Sequence, residues 1–185
     1  MFLLIDAAGR FPLGDDGEPK LFHTPPATAE TSSHVHVTRE VTAARVHGVD
    51  AADLAGPHGA TGDARTHASH PLAARAVGLV NARERTRFDP ADGSEGRWGE
   101  GGIVARGATG RPIFPRLDPC VIGLVEDPAG ERTLLVENAR RPGYLTLVAG
   151  YVDIGETLEA AFAREVWEET GRRATQVRYL RSQPW

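Results

Sequence analysis

The chain has 185 residues, of which 41% are hydrophobic and 25% charged; that is ordinary globular composition, enough for one medium domain or two small ones. A formal net charge of -4 excludes a global basic field that gathers nucleic acid, although one nucleotide needs only local positive charge. A single cysteine, Cys120, excludes an intrachain disulfide and a thiolate zinc cluster and fits a reducing cytoplasm; MFLLIDAAGR lacks the length and basic start of a signal peptide, and no segment approaches the ~20 apolar residues of a membrane helix.

Taken from the start, Phe2–Ile5, Leu21–Phe22 and Val35–Val41 are short apolar runs separated by DDGEP and TPPATAETSS, a pattern of strands and turns in an α/β or β-rich unit. GPHGATGDARTHASH, residues 56–70, has no periodicity and reads as a loop. Pro71 stands where a helix tolerates proline best, with Ser69 or His70 as cap, and Leu72, Ala76, Leu79 and Val80 give that helix one apolar stripe to about Arg85. All seven histidines precede residue 71; His34 and His36 share a strand face and His67 and His70 a turn, as surface or loop residues in preference to metal ligands. The glycine-rich stretch 89–112 is a turn-rich connector. From Cys120 the character changes: CVIGLVE and RTLLVEN form a hairpin around DPAG, YLTLVAG is a third run, Thr157 to about Thr170 a helix, and QVRYLRS a further strand.

The densest chemistry lies in GYVDIGETLEAAFAREVWEETG, residues 150–171, with five glutamates and one arginine. At about 100° per residue, Leu158, Ala161, Phe162 and Val166 share one arc. Glu165 and Glu169 fall inside it and Glu168 on its flank, whereas a merely solvated face lies opposite the apolar stripe. Ala163 and Trp167 point the other way, as if the helix had cover on both sides. Like charges at i,i+4 repel, more so when desolvated, and a divalent cation removes the conflict. Carboxylate oxygens suit Mg²⁺ or Mn²⁺, Arg164 can brace a glutamate from the side, and Gly150 and Gly155 permit a tight loop whose carbonyls add ligands.

Gly150, Glu156, Arg164, Glu165, Val166, Glu168, Glu169 and Gly171 stand at the spacing of the Nudix box, which this stretch resembles; Arg172 takes the place of the usual apolar residue after the final glycine. The resemblance implies a metal-dependent hydrolase of nucleoside diphosphates linked to another moiety, with an α/β (α+β) Nudix fold, an α/β/α sandwich. Glu165, Glu168 and Glu169 are then the catalytic and metal-binding residues, with the carbonyl of Ala149 or Gly150 completing the metal's ligands, and Gly150, Glu156, Arg164 and Gly171 have structural parts. Metal ions neutralise the diphosphate and activate water for in-line attack.

Ser182-Gln183-Pro184-Trp185 resembles the opening of the SQPWPFPxS motif of the NADH pyrophosphatase subfamily, also linked to removal of NAD caps from RNA. Phe114-Pro115-Arg116-Leu117-Asp118-Pro119 resembles that subfamily's YPRxDP entry segment. Phe114, Ser182, Gln183, Pro184 and Trp185 are thus the expected substrate-binding residues, Phe114 lacking the tyrosine's hydroxyl. A four-cysteine zinc ribbon should precede this segment, but Asp89, Asp92, Arg106 and Thr109 stand at its four cysteine positions; such a set is a poor match for structural zinc, and the expectation is no zinc and a loop held by packing and turns. The implied organisation is a divergent N-terminal α/β domain over 1–87, a cysteine-less ribbon-like connector over 88–117 and a partial Nudix domain over 118–185.

The implied activity is cleavage of NAD(H) to NMN(H) and AMP with Mg²⁺ or Mn²⁺, in the cytoplasm, on a small dinucleotide or NAD-capped RNA, with no membrane partner and with a homodimer at full length. Because the chain ends inside the specificity motif, the competing expectation is a C-terminally truncated, catalytically silent fragment. A third keeps the chemistry but takes another nucleotide diphosphate, such as ADP-ribose.

Overall fold

The apolar runs of the first half become strands of a sheet covered by helices. A computed structural model describes residues 1–56 and 59–183 and divides them into two units, Met1–Arg116, with which Gln183 groups, and Leu117–Ser182. In chain order the first carries β1 (Phe2–Ile5), β2 (Phe11–Pro12), β3 (Leu21–Phe22), β4 (Glu30–His36), β5 (Thr42–His47), α1 (Ala51–Ala55), β6 (Thr61–Gly62), α2 (Pro71–Arg85), β7 (Arg97–Gly99), a 3₁₀ turn (Glu100–Gly102), β8 (Val104–Arg106) and β9 (Pro112–Ile113). The second carries β10 (Cys120–Gly123), β11 (Val136–Glu137), β12 (Leu145–Thr146), β13 (Val148–Tyr151) and α3 (Leu158–Thr170). The chain is therefore mixed α/β.

In the first unit the strand order is β3-β1-β5-β4, with β1 parallel to β5 and the other pairs antiparallel. β1 is buried on both faces, as a central strand with a parallel neighbour should be. Leu3 and Ile5 pack with Val35, Ala43 and the Ala73, Ala76, Val77 and Val80 stripe of α2. Leu4 packs on the other face with Ala44, Val46 and Leu54 of α1. Each fully buried Leu, Ile or Val contributes about 1.5–3 kcal/mol. α2 begins as its proline predicts: His70 is the cap, its Nδ1 accepting from the Ala73 N–H at 3.2 Å.

Two buried ionic groups tie this unit together. The Asp6 carboxylate, 1% exposed, accepts the N–H groups of Ala8, Arg10 and Ala51 and the Arg10 guanidinium. Arg45 on β5 forks onto Glu84 of α2 at 2.8 and 2.7 Å, reaches Asn81 at 2.8 Å and donates to the Asp6 carbonyl. Its desolvated charge is thereby compensated.

Three sequence expectations change here. Val35–Val41 is not one strand: the Val37 N–H donates to the Val41 carbonyl and Thr38 Oγ1 accepts from Glu40 and Val41 N–H groups, so a threonine-closed turn separates β4 from β5. β4 starts at Glu30, inside the stretch read as a connector, because its backbone completes the ladder to β5 despite its polar side chains. The loop over 56–70 contains β6, which pairs with β2.

In the second unit β10 pairs antiparallel with β13, and β11 with β12. The DPAG turn forms as read: the Asp127 N–H donates to the Arg132 carbonyl at 3.0 Å, Gly130 to Asp127 at 2.9 Å and Leu134 to Val125 at 2.8 Å. YLTLVAG divides into β12 and β13. α3 buries Ala161, Phe162 and Val166 against Val148, joined by partly buried Val121, Val125, Leu134, Val136, Ala174 and Val177. QVRYLRS is not a strand: Val177 packs on this core, but among the described residues the segment has no ladder partner, and a strand without a partner leaves its backbone groups unpaired. Trp167 is 51% exposed, and the Arg173 guanidinium lies over its ring at 5.5 Å.

No helix among the described residues is long and apolar enough to cross a membrane.

Candidate active site

Helix α3 sets the geometry of the glutamate cluster. Thr157 Oγ1 caps its start by accepting from the Ala160 N–H at 3.2 Å, and Gly171 ends it in the left-handed conformation at φ 66°. The buried arc of Ala161, Phe162 and Val166 presses one side onto the sheet. Glu165 stands next to that arc, its side chain 14% exposed, whereas Glu168 is 55% exposed.

Gly150 makes room for Glu165. A Cβ built on residue 150 would lie 1.9 Å from the Glu165 Cδ and about 2 Å from its oxygens, at 2.1 and 2.3 Å. The glutamate carboxyl is laid against the backbone of β13, and only glycine permits that approach. Ala149, the preceding residue of β13, is paired in register with Ile122 of β10. Gly155 serves differently: at φ 86° it turns the loop leading into α3. That loop closes on itself, the Glu156 N–H donating to the Asp153 carbonyl and the Asp153 N–H to Glu156 Oε2, both at 3.1 Å.

Arg164 joins loop, strand and helix. Its Nε and Nη2 grip Glu156 in a two-pronged contact at 2.8 and 3.0 Å. Nη1 donates to Glu165 Oε1 at 2.8 Å and Glu168 Oε2 at 3.1 Å, and Nη2 to the Tyr151 carbonyl at 2.8 Å. The Glu156 contact, followed by those to Glu165 and Glu168, raises the Arg164 pKa, and Arg164 in turn holds Glu156 below its ordinary value. Glu169 goes the opposite way: partial desolvation of its carboxyl, then the Glu165 charge one turn earlier, raise its pKa. The Tyr151 carbonyl is a partner that sequence reading missed, since backbone acceptors leave no residue-type signal.

The residues present fit a divalent cation in their chemistry: oxygen donors on one helix, one of them seated in a backbone cradle that a Cβ would fill. Their arrangement is that of a site organised by Arg164. Among the described residues, no group of three or more His, Cys, Asp or Glu side chains is placed to hold a metal ion; two of the expected ligands, Glu165 and Glu168, are gathered by one guanidinium nitrogen.

The expected substrate residues belong to different units or lie outside the described residues. Phe114 is 65% exposed in the first unit; Ser182 and Gln183 are exposed and outside any helix or strand. Pro184 and Trp185 lie outside the described residues. His34 and His36 share the exposed face of β4, His67 sits edge-on to Phe11, and His70 caps α2 while its Nε2 meets Glu18 at 3.1 Å.

Residues 116–185 match the NUDIX domain. The NAD-capped RNA hydrolase NudC of Mycobacterium bovis (strain BCG / Pasteur 1173P2) is 40% identical over 119 residues, 63% of this chain and 38% of that protein. Proteins of the same name are 42% identical over 118 residues in Deinococcus radiodurans and 36% over 116 residues in Vibrio vulnificus (strain CMCP6). The chain carries a Nudix domain. Within that class it is similar to the NudC proteins, and the likeness to these relatives extends beyond the Nudix segment. It spans 38% to 44% of the length of the curated relatives it matches.

Proposed function

We propose that this chain is the part of a Nudix hydrolase that carries its metal-binding glutamates, and that the reaction is metal-dependent hydrolysis of the diphosphate of NAD(H), free or as an RNA cap, to NMN(H) and AMP. The observation that carries the reading is the seating of Glu165 against Gly150, with Arg164 holding Glu165 and Glu168 from one side. The NudC relatives support the substrate class.

In this reading Glu165, Glu168 and Glu169 would hold Mg²⁺ or Mn²⁺, and Ala149 would add its carbonyl. When bound, the metal neutralises diphosphate charge and lowers the pKa of a water molecule. The chain's own residues do the positioning: Gly150 lets the Glu165 carboxyl lie at the strand, Arg164 fixes the direction of two glutamates, and the Glu156 clasp holds the 152–156 loop against α3. Glu168, more exposed than Glu165, would assist the metal site or accept a proton from the attacking water. Phe114, Ser182, Gln183, Pro184 and Trp185 contribute to nucleotide binding. The α/β/α sandwich, the homodimer and the cytoplasmic setting belong to the same reading.

The test is incubation of the chain with NADH and Mn²⁺, AMP being quantified, with ADP-ribose and NAD-capped RNA run in parallel. AMP from NADH, lost in Glu165→Gln, supports the reading; turnover of ADP-ribose alone replaces the substrate.

A further inference from the structure

The strands β7, β8 and β9 form a three-stranded antiparallel sheet, preceded by the turn 88–95 and interrupted between β8 and β9 by the turn 106–111. These are the two turns in which a zinc ribbon places its cysteines, here Asp89 and Asp92 in the first and Arg106 and Thr109 in the second. The donor set does not fit zinc: a guanidinium stands at one position and its Nη1 donates to the Gly110 carbonyl at 2.9 Å.

We propose that this module is closed without metal, by a hydrogen-bonded clasp in which Asp89 and Thr109 replace the metal bridge. Asp89 is 3% exposed. Its Oδ2 accepts from the Thr109 hydroxyl at 2.9 Å, across the two turns, while Oδ1 accepts from the Ala91 N–H at 2.9 Å within its own. A second crossing runs beside it: the Ala108 N–H donates to Ser94 Oγ at 2.7 Å, and Ser94 Oγ donates to Asp92 Oδ1 at 2.6 Å. Two of the four positions at which a ribbon has cysteine, Asp89 and Thr109, thus bond directly, and Asp92 joins the second crossing through Ser94.

Backbone bonds set the first turn, Asp89 N–H to the Ser94 carbonyl at 2.7 Å and Gly93 N–H to the Asp89 carbonyl at 2.8 Å. Gly107 allows the turns to meet: a Cβ there would fall 2.5 Å from both the Asp89 Cβ and the Ser94 Oγ. The Asp89 Cβ is fixed to the backbone, so no side-chain rotation relieves that clash. A buried carboxylate with its hydrogen bonds made is tolerable, and removing its partners leaves it uncompensated.

The test is made on the whole chain, purified from zinc-supplemented medium and kept free of Mg²⁺ and Mn²⁺. Zinc content is measured by mass spectrometry, and hydrogen exchange of residues 88–113 is followed with and without chelator. The clasp predicts no stoichiometric zinc and unchanged exchange on chelation. It also predicts faster exchange in 88–113 for Asp89→Ala and Thr109→Val, with a melting temperature lower by about 5 °C. Asp89→Asn, which keeps an acceptor for Ala91 and presents an amide to the threonine oxygen, should lie between Ala and wild type. One equivalent of zinc overturns the proposal, and so does unchanged exchange in both Asp89→Ala and Thr109→Val. If Asp89→Ala does not fold, the zinc and chelation measurements on the wild type and exchange in Thr109→Val decide alone.

Discussion

Gly150 and Glu165 occupy each other's space: the position of a β-carbon on residue 150 coincides with the Glu165 carboxyl, 1.9 Å from its Cδ. The clash is with the far end of a flexible side chain, and Gly150 has no left-handed φ among the chain's positive-φ residues. Gly150→Ala should therefore change stability by less than about 1 kcal/mol, because Glu165 can swing away, while activity falls about 100-fold because the carboxylate no longer lies at the strand. Melting and steady-state kinetics on the same preparation check this; an active Gly150→Ala protein would show that the seat has no catalytic part.

Arg164 makes five hydrogen bonds to four residues. A lysine keeps the charge but not the fork. In Arg164→Lys the 152–156 loop should exchange amide protons faster, and kcat should drop about 10- to 100-fold, as when a group that orients metal ligands is lost. Kinetics equal to wild type would reduce Arg164 to a bystander.

Glu169 carries an electrostatic cost. Its carboxyl is partly desolvated and lies one turn from Glu165, and both effects raise its pKa. A raised carboxylate pKa means the ionised form is less favourable in the folded chain than in the unfolded one. Glu169→Gln should then be equal to wild type or more stable by a few tenths of a kcal/mol without metal, and should lose the stabilisation that added Mn²⁺ gives the wild type. Thermal denaturation with and without Mn²⁺ reads both.

Acid stability of the first unit should depend on Glu84. The Arg45 hydrogen bond, against partial burial, holds its carboxyl below the ordinary 4.5. A depressed folded-state pKa contributes stability that is complete above pH 4.5 and is lost as pH falls below that value through the folded pKa. Glu84→Gln should flatten this acid limb in denaturant midpoints measured from pH 6 to 3; an unchanged limb would place the acid sensitivity elsewhere.

What the sequence disclosed was local and covalently close. The α2 start at Pro71, the DPAG turn and the α3 arc of Ala161, Phe162 and Val166 are written in short windows, because caps, turns and periodicity act over a few residues. The box residues were legible for the same reason, with Glu156, Arg164 and Glu165 within ten positions. β4 was hidden because its strand state is imposed by a partner ladder and not by Glu30–Ser33 themselves, and QVRYLRS misled because apolar alternation needs a partner to become a strand. Arg45 meeting Asp6 and Glu84, and Asp89 meeting Thr109, join residues far apart in sequence, and no window shows them.

The most direct test of the central claim is AMP release from NADH by this chain with Mn²⁺, compared with Glu165→Gln. The account predicts AMP in stoichiometric balance with NMNH from the wild type and at least 100-fold less from the variant, which keeps the shape of Glu165 but not its charge. Equal AMP from both proteins would contradict it, because the reaction would then not pass through the carboxylate that Gly150 and Arg164 hold in place.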